Sequence, residues 1–529
     1  MLNNSFNFEN LIATGKVITL PDNKDLLTLG VRDARYEGGY QPVAIKFEDF
    51  AAAIGGGVQS VTGLNTDNTD PANPVINIAV DNATLTGDGT PGNPLAALGG
   101  SVNYGNVFFV DSTNGNDSTG TQNNFTKPFS SVVTAAATAN FMSPTSTDRA
   151  LVYVRRGVYN NQIMVFHNNV DVYCEPGVVF IGSSSLWDYG ASVDSKFLGY
   201  AKFVNTAVAK ICKTTGATSK IHFECDEIIA YGGTFEVQSG ASLYFKARKV
   251  DADGYGFLET GYLRGTGNIV IDISEEYKSF GQHFKFVFFA GKAFINCPRM
   301  FLKDGGPHSA NQKQVVMCDA NAGGEAVING NMYADPARTT YYGGISAMIT
   351  RWNDSWMTLR FNGGIFSENQ LAINAQGASA ASRTIINGDV RTNMQVAYIA
   401  NNSRVVFRNG TLMNWNTEAT SISSFSPIIN VNQNAVVFVE NCHLHNLGTG
   451  GFDALWKMST ASLLNVYNSV YSGQDAVGLF IKNSVAGTPV NNVRLLNTRA
   501  TKALDTNITD LLSPTGFVQD PNILSINFI

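Results

Sequence analysis

One pattern recurs along the second half of the chain: a short apolar run that ends in asparagine followed by a small residue. It reads A-F-I-N-C, A-V-I-N-G, L-R-F-N-G, T-I-I-N-G, V-F-R-N-G, F-V-E-N-C, N-V-Y-N-S and R-L-L-N-T. The asparagines are Asn296, Asn329, Asn362, Asn387, Asn409, Asn441, Asn468 and Asn497, spaced 22 to 33 residues apart. A repeat of this length marks a solenoid, in which each copy supplies one rung of a shared core. Asn tolerates the left-handed backbone of a tight turn, and a small neighbour fits a sharp corner. Stacked asparagines can also hydrogen-bond from rung to rung. Variable spacing is absorbed by loops on the other faces. K-I-H-F-E, S-L-Y-F-K and N-I-V-I-D extend the column upstream to Glu224, Lys246 and Asp272. Residues 150–510 then make roughly 12 or 13 coils and a rod on the order of 60 Å long.

Composition agrees with an all-β chain. Charged residues are 15%, below the usual value of about 25%. Asparagine occurs 54 times and glycine 51 times, which suits many short strands joined by tight turns. A hydrophobic fraction of 44% excludes global disorder. A net charge of −6 excludes a basic nucleic-acid-coating face, so no nucleic acid is expected as a partner. No stretch approaches the 18 apolar residues of a spanning helix, so no membrane insertion is expected. The start, M-L-N-N-S-F-N-F-E-N, has no cationic n-region and no apolar h-region, so no signal peptide is expected. The six cysteines, Cys174, Cys212, Cys225, Cys297, Cys318 and Cys442, form no C-x-x-C pair and read as buried free thiols.

Ahead of the repeat lies a more specific segment. F-F-V-D-S-T-N-G-N-D-S-T-G-T (108–121) precedes K-P-F-S-S-V-V-T-A-A-A-T-A (127–139), and A-L-V-Y-V-R-R-G-V-Y (150–159) follows. The middle part predicts a helix that opens near Ser130 as N-cap. Its apolar face is Val132, Ala135, Ala136 and Ala139. An apolar strand from Leu151 to Val154 comes next and ends at Gly157. A short amphipathic helix in this place can cover the open edge of the first coil. The motif order resembles the N-terminal cap of pectin-lyase-like right-handed parallel β-helices. That resemblance implies the fold and leaves the function open among lyases, hydrolases, adhesins and phage tailspikes.

The expected organisation is a right-handed parallel β-helix with a short N-terminal capping helix, preceded by a small particle-attachment unit and an extended stalk. Residues 1–57 form the attachment unit, with a strand at Val43–Phe47, a helix at Glu48–Ile54 and a hinge at Gly55–Gly57. Residues 58–104 form a Pro/Asn/Gly-rich stalk of small hairpins. Residues 105–160 are the cap and first strand, 161–510 the shaft, and 511–529 a closing cap or subunit contact. The stalk string A-V-D-N-A-T-L-T-G-D-G-T-P-G-N-P-L is similar to segments of bacteriophage tail fibres. The whole resembles a phage fibre or tailspike. This implies a homotrimeric virion protein that joins other virion proteins through its N-terminal unit and meets a host surface polysaccharide or receptor. A polysaccharide depolymerase on the same scaffold and a non-viral adhesin are the alternatives.

Candidate chemistry is sparse. Glu259, Glu275 and Glu276, with Asp251 and Asp253, lie within about one coil and could form a glycosidase carboxylate pair; solvated surface charge is the competing reading. Asp226 with Arg248, and Glu275 with Arg299, read as ion pairs between coils. Trp352 and Trp356 flank Asn353-Asp354-Ser355, read as a loop, and are candidates for sugar stacking. His443 and His445 share one strand face and could bind a metal on a three-fold axis; hydrogen-bonded histidines are the alternative. No cofactor is expected, since no P-loop, Rossmann glycine motif or nucleophile elbow occurs.

Overall fold

The computed structural model describes residues 26–32, 40–46, 64–67, 75–78, 85–86, 96–97 and 103–519, the last span without 256–258, 306–312, 320–322, 337–341, 353–356, 369, 377–381, 415–428, 447–453, 459–461, 474–478, 484–489, 505 and 512–515. The chain divides into two compact units, Met1–Val102 and Asn103–Ile529.

In the first unit, three short antiparallel pairs are described. Leu26–Arg32 pairs with Tyr40–Lys46, Leu64–Asp67 with Val75–Ile78, and Leu85–Thr86 with Ala96–Ala97. The helix expected at Glu48–Ile54 and the Gly55–Gly57 hinge lie outside the described residues, as do residues 520–529.

The second unit is a parallel β-helix. Every strand-to-strand pairing in it is parallel, and each strand pairs with the strand one coil away. Three faces run along the rod. One is a separate sheet of 13 strands, from Ile163–Val165 to Leu479–Asn483, which agrees with the coil number read from the repeat. The other two faces are joined in one sheet of 26 strands. They are joined because Lys220–Ala230, Ser242–Ala252, Asn268–Ser279, Lys292–Leu302 and Glu325–Ala334 each run around the corner unbroken. At that corner two successive residues face outward, as with Arg248 and Lys249 or Pro298 and Arg299, and the register shifts. A bulge of this kind bends a strand without ending it.

Alternation on each strand sends one column of side chains inward. On the first face an unbroken register runs Phe197, Phe223, Phe245, Ile271, Ile295, Ile328, Phe361, Ile386 and Phe407, all buried. The first three rings stack, with centroids 5.1 and 5.3 Å apart. Each coil thus covers the apolar side chains of the one before, which is where most of the shaft's stability resides.

The helix α1 spans Val132–Phe141 and buries Val132, Ala135, Ala136 and Ala139, the face read from sequence. It packs on the strands Asn103–Val110, Asp148–Val154, Ile163–Val165 and Val170–Cys174 and so covers the end of the first coil. Its N-cap is Ser131, which accepts from the Thr134 amide, and not Ser130. The reason is Asp117: one carboxylate oxygen accepts from the Ser130 and Ser131 amides at 2.8 and 3.0 Å, which fixes the chain one residue later. Gly157 does not end the apolar strand either; it opens the next one, Gly157–Asn160.

The asparagine column forms one continuous ladder. Each side-chain amide donates to the oxygen of the asparagine one coil earlier, from Asn329 on Asn296 through to Asn497 on Asn468, at 2.8–3.5 Å. The upstream extension is in register as well, as Glu224, Lys246, Asp272 and Asn296. The backbone argument needs correction for half of the column. Asn409, Asn441, Asn468 and Asn497 are left-handed, with φ of 49–55°. At Asn329, Asn362 and Asn387 it is the following glycine, Gly330, Gly363 or Gly388, that has positive φ. These glycines stack: a Cβ on Gly363 would lie 1.9 Å from the Gly330 carbonyl oxygen. The switch occurs where Asn387 pairs with Arg408 and Asn409 moves one place into the turn. Cys442, Ser469 and Thr498 then point into the core. All six cysteines are free and buried.

Candidate functional site

The carboxylates singled out by sequence are placed on two faces and tied into ion pairs. On the second face Glu276 is held by Lys278 at 3.0 Å and Arg299 at 3.2 Å. Glu275 is held by Arg248 at 2.8 Å, and Arg248 also binds Asp226 at 2.8 Å. The Asp226–Arg248 pair was expected; Arg299, however, takes Glu276 and not Glu275. The bulge at Ser274–Glu275 explains this, because it turns Glu276 toward Arg299 and leaves Glu275 over the corner. Asp251 and Asp253 share Lys303.

Glu259 belongs to the third face, apart from Glu275 and Glu276. It bridges to Gln282 through the backbone, and its carboxylate lies 3.8 Å from Lys285. Its carbonyl accepts from Lys210, whose side chain is buried across Gly233. Burial pushes the Lys210 ammonium down to about 8, against the pull of Glu259 and Glu236. Glu236 pairs with Lys213 at 3.3 Å.

Trp352 is not on a loop as expected. Trp352 ends the strand Tyr342–Trp352 and pairs in register with Asp319, so it lies on a strand and is half-buried. Trp356 lies outside the described residues. Both histidines hydrogen-bond Ser472 on the next coil, at 2.8 Å from His443 and 2.9 Å from His445, while His445 Nε2 is buried without a hydrogen-bond partner. Burial lowers the pKa of both rings. Among the described residues no group of three potential ligands surrounds them.

The sequence reading missed an aromatic ladder on the outer side of the second face. Phe301 is in register with Tyr333, and Tyr333 with Phe366, one ring per coil. Tyr333 and Phe366 stack with centroids 5.0 Å apart. Cations flank the column. Arg299 lies 5.4 Å from the Phe301 ring centre and 5.5 Å from that of Tyr333, and Arg391 lies 5.8 Å from that of Phe366. Lys278 lies 5.6 Å from the Phe301 ring centre. Phe301 was hard to see because the Pro298–Arg299 bulge inverts the alternation. Carried forward from Ile295 and Cys297, the period of two would put Phe301 inside.

A parallel β-helix with aromatic and charged columns along its outer faces is the class of protein that fold and surface define. No protein-family model matches the chain, and no curated protein matches it. Among the described residues no helix is long and apolar enough to cross a membrane.

Proposed function

We propose that this chain is a structural fibre or spike protein of a bacteriophage particle. It is a homotrimer that joins other virion proteins through its N-terminal unit and binds host surface glycan along its shaft. The observation that carries the reading is the ladder Phe301–Tyr333–Phe366. Half-buried rings stacked at coil spacing present a continuous apolar edge against which successive sugars can pack, and Arg299, Lys278 and Arg391 border them with hydrogen-bond donors. The test is adsorption. Purified protein should compete with the phage for host cells and bind host polysaccharide. Replacing Phe301, Tyr333 and Phe366 together by alanine should weaken binding at least about tenfold, while Trp352→Ala should not. Undiminished competition by the triple variant would overturn the assignment to the ladder, and a particle whose fibres lack this chain would overturn the whole reading.

A second reading, a polysaccharide depolymerase, has one observation in its favour. Lys210, with its lowered pKa, sits against Glu259 on a face that also carries Glu236 and Lys285. A lysine with a lowered pKa suits proton abstraction from a glycan, and because Lys210 is buried and donates to the Glu259 carbonyl, this reading requires the coil to open at Gly233. Release of oligosaccharides that stops in Lys210→Met would favour this reading.

A further inference from the structure

The first face carries a concave feature, separate from the aromatic ladder. Two outward columns run side by side across coils that are neighbours in register. One is Lys196, His222, Tyr244 and Val270; the other is Asp194, Lys220, Ser242 and Asn268. Ser242, Asn268 and Val270 are short, whereas Lys220 and Tyr244 are long. The step in side-chain length leaves an open depression of about 340 Å³ lined by these residues. That volume lies at the small end of ligand sites.

Two ammonium groups and one carboxylate line it. Asp194 is bound at 3.1 Å to Arg149, which also holds Asp171, and Glu224, further along the Lys220 strand, is bound to Lys246 at 2.6 Å. Among the described residues neither Lys196 nor Lys220 has an ion-pair partner. The Tyr244 ring forms an apolar wall, braced edge-on by His222 with centroids 4.5 Å apart. The His222 Nε2 is buried and makes no hydrogen bond, and Glu224 Oε2 stands 3.6 Å away. Two ammonium groups held in no ion pair, an aromatic wall and a floor with a hydroxyl and an amide are the elements that recognise a pyranose carrying an anionic group.

We infer that this depression binds one acidic saccharide unit, a sugar bearing a carboxylate or a phosphate, with the anion on Lys196 and Lys220 and the ring on Tyr244. The inference does not depend on the receptor reading, because it concerns a different face and can be measured on the isolated protein. Ligand-observed NMR titrations of the full chain at low ionic strength test it, using glucuronic acid, glucose 6-phosphate, glucose and inorganic phosphate as probes. Both acidic sugars should bind at least about tenfold more tightly than glucose or phosphate alone. The double variant Lys196→Gln, Lys220→Gln should lose that tenfold preference and keep residual glucose binding. Tyr244→Ala should weaken both acidic sugars. These side chains point outward, so the variants should retain the circular dichroism and melting behaviour of the parent. Glucose binding as tightly as glucuronic acid would overturn the proposal. So would acidic sugars that bind the double variant undiminished, or none that bind at all. Phosphate equal to the sugars would define a bare anion site and overturn the saccharide assignment.

Discussion

Asn362 donates its side-chain amide to the Oδ1 of Asn329 at 2.8 Å, although 33 residues of chain separate them. Asn329 makes the same bond to Asn296. The repeat therefore has a direct physical meaning: the period of the sequence is the perimeter of one coil, and the asparagine closes each coil onto the last.

The two kinds of corner separate two roles of asparagine. Asn441 is left-handed with φ of 55° and holds two ladder bonds; Asn362 holds two ladder bonds only. A ladder bond is worth about 1 kcal/mol, and a left-handed backbone costs a residue with Cβ about 1–2 kcal/mol. Asn441→Ala should therefore destabilise more than Asn362→Ala, and Asn441→Gly should recover about 1 kcal/mol relative to Asn441→Ala. Urea unfolding of the three variants measures this. Equal losses for Asn441→Gly and Asn441→Ala would show that the turn conformation carries no cost.

The cap gives a second expectation. Asp117 ties the Ser130 and Ser131 amides, and its other oxygen accepts from the Thr134 hydroxyl at 3.1 Å. Asp117→Ala leaves those donors without a partner and should cost about 1–3 kcal/mol. Deleting residues 106–140 removes α1 and most of the strand that pairs with Asp148–Val154. The exposed strand edge should then drive aggregation. A monodisperse, folded shaft from that deletion, seen by light scattering, would contradict a protective cap.

Much of this was legible in sequence because solenoid repeats write their geometry into one dimension. The buried face of α1, the coil number and the ladder all follow from side-chain spacing that a single strand or helix already fixes. The lateral placement of Glu259 against Glu275 and Glu276 did not follow. Sequence proximity suggested one site, but Glu259 lies on the third face and the other two at the bulged corner of the first and second. Phe301 was hidden by a single extra residue in its strand. Trp352 drew attention through its polar neighbours, yet register places it at a strand end. Local bulges and loop lengths decide such matters, and alternation alone does not encode them.

Acid should unfold the shaft through His283. Its ring is fully buried, and Nε2 donates to the carbonyls of Tyr277 and Phe301 at 3.0 and 3.2 Å, while Nδ1 has no hydrogen-bond partner. Burial pushes its pKa down to about 4, against backbone hydrogen bonds that favour the charged ring. The folded value lies below the unfolded value of about 6.5, so the unfolded chain binds the proton first. The stability that the neutral ring provides is complete above pH 6.5 and is lost as pH falls through about 4, by on the order of 3 kcal/mol. Thermal melts of wild type and His283→Phe between pH 7 and about 4 check this. The difference between the two should move in favour of the variant as pH falls. A constant difference would mean that His283 does not titrate in this window.

Catalysis by the carboxylates first suspected from sequence is disfavoured by their partners. Glu276 is held between Lys278 and Arg299, and Glu275 is held by Arg248, so neither is free to shuttle a proton to a bound glycan. A glycosidase pair needs two carboxyl groups facing one substrate, about 5–10 Å apart, with one of them kept protonated. Glu275→Gln and Glu276→Gln should accordingly leave any oligosaccharide release from host polysaccharide unchanged. Glu276→Gln should instead cost stability, because Arg299 and Lys278 lose a largely buried counter-charge; a loss of about 1–3 kcal/mol in urea unfolding is expected. Release abolished in Glu276→Gln, with stability unchanged, would reverse the assignment and make this corner a catalytic site.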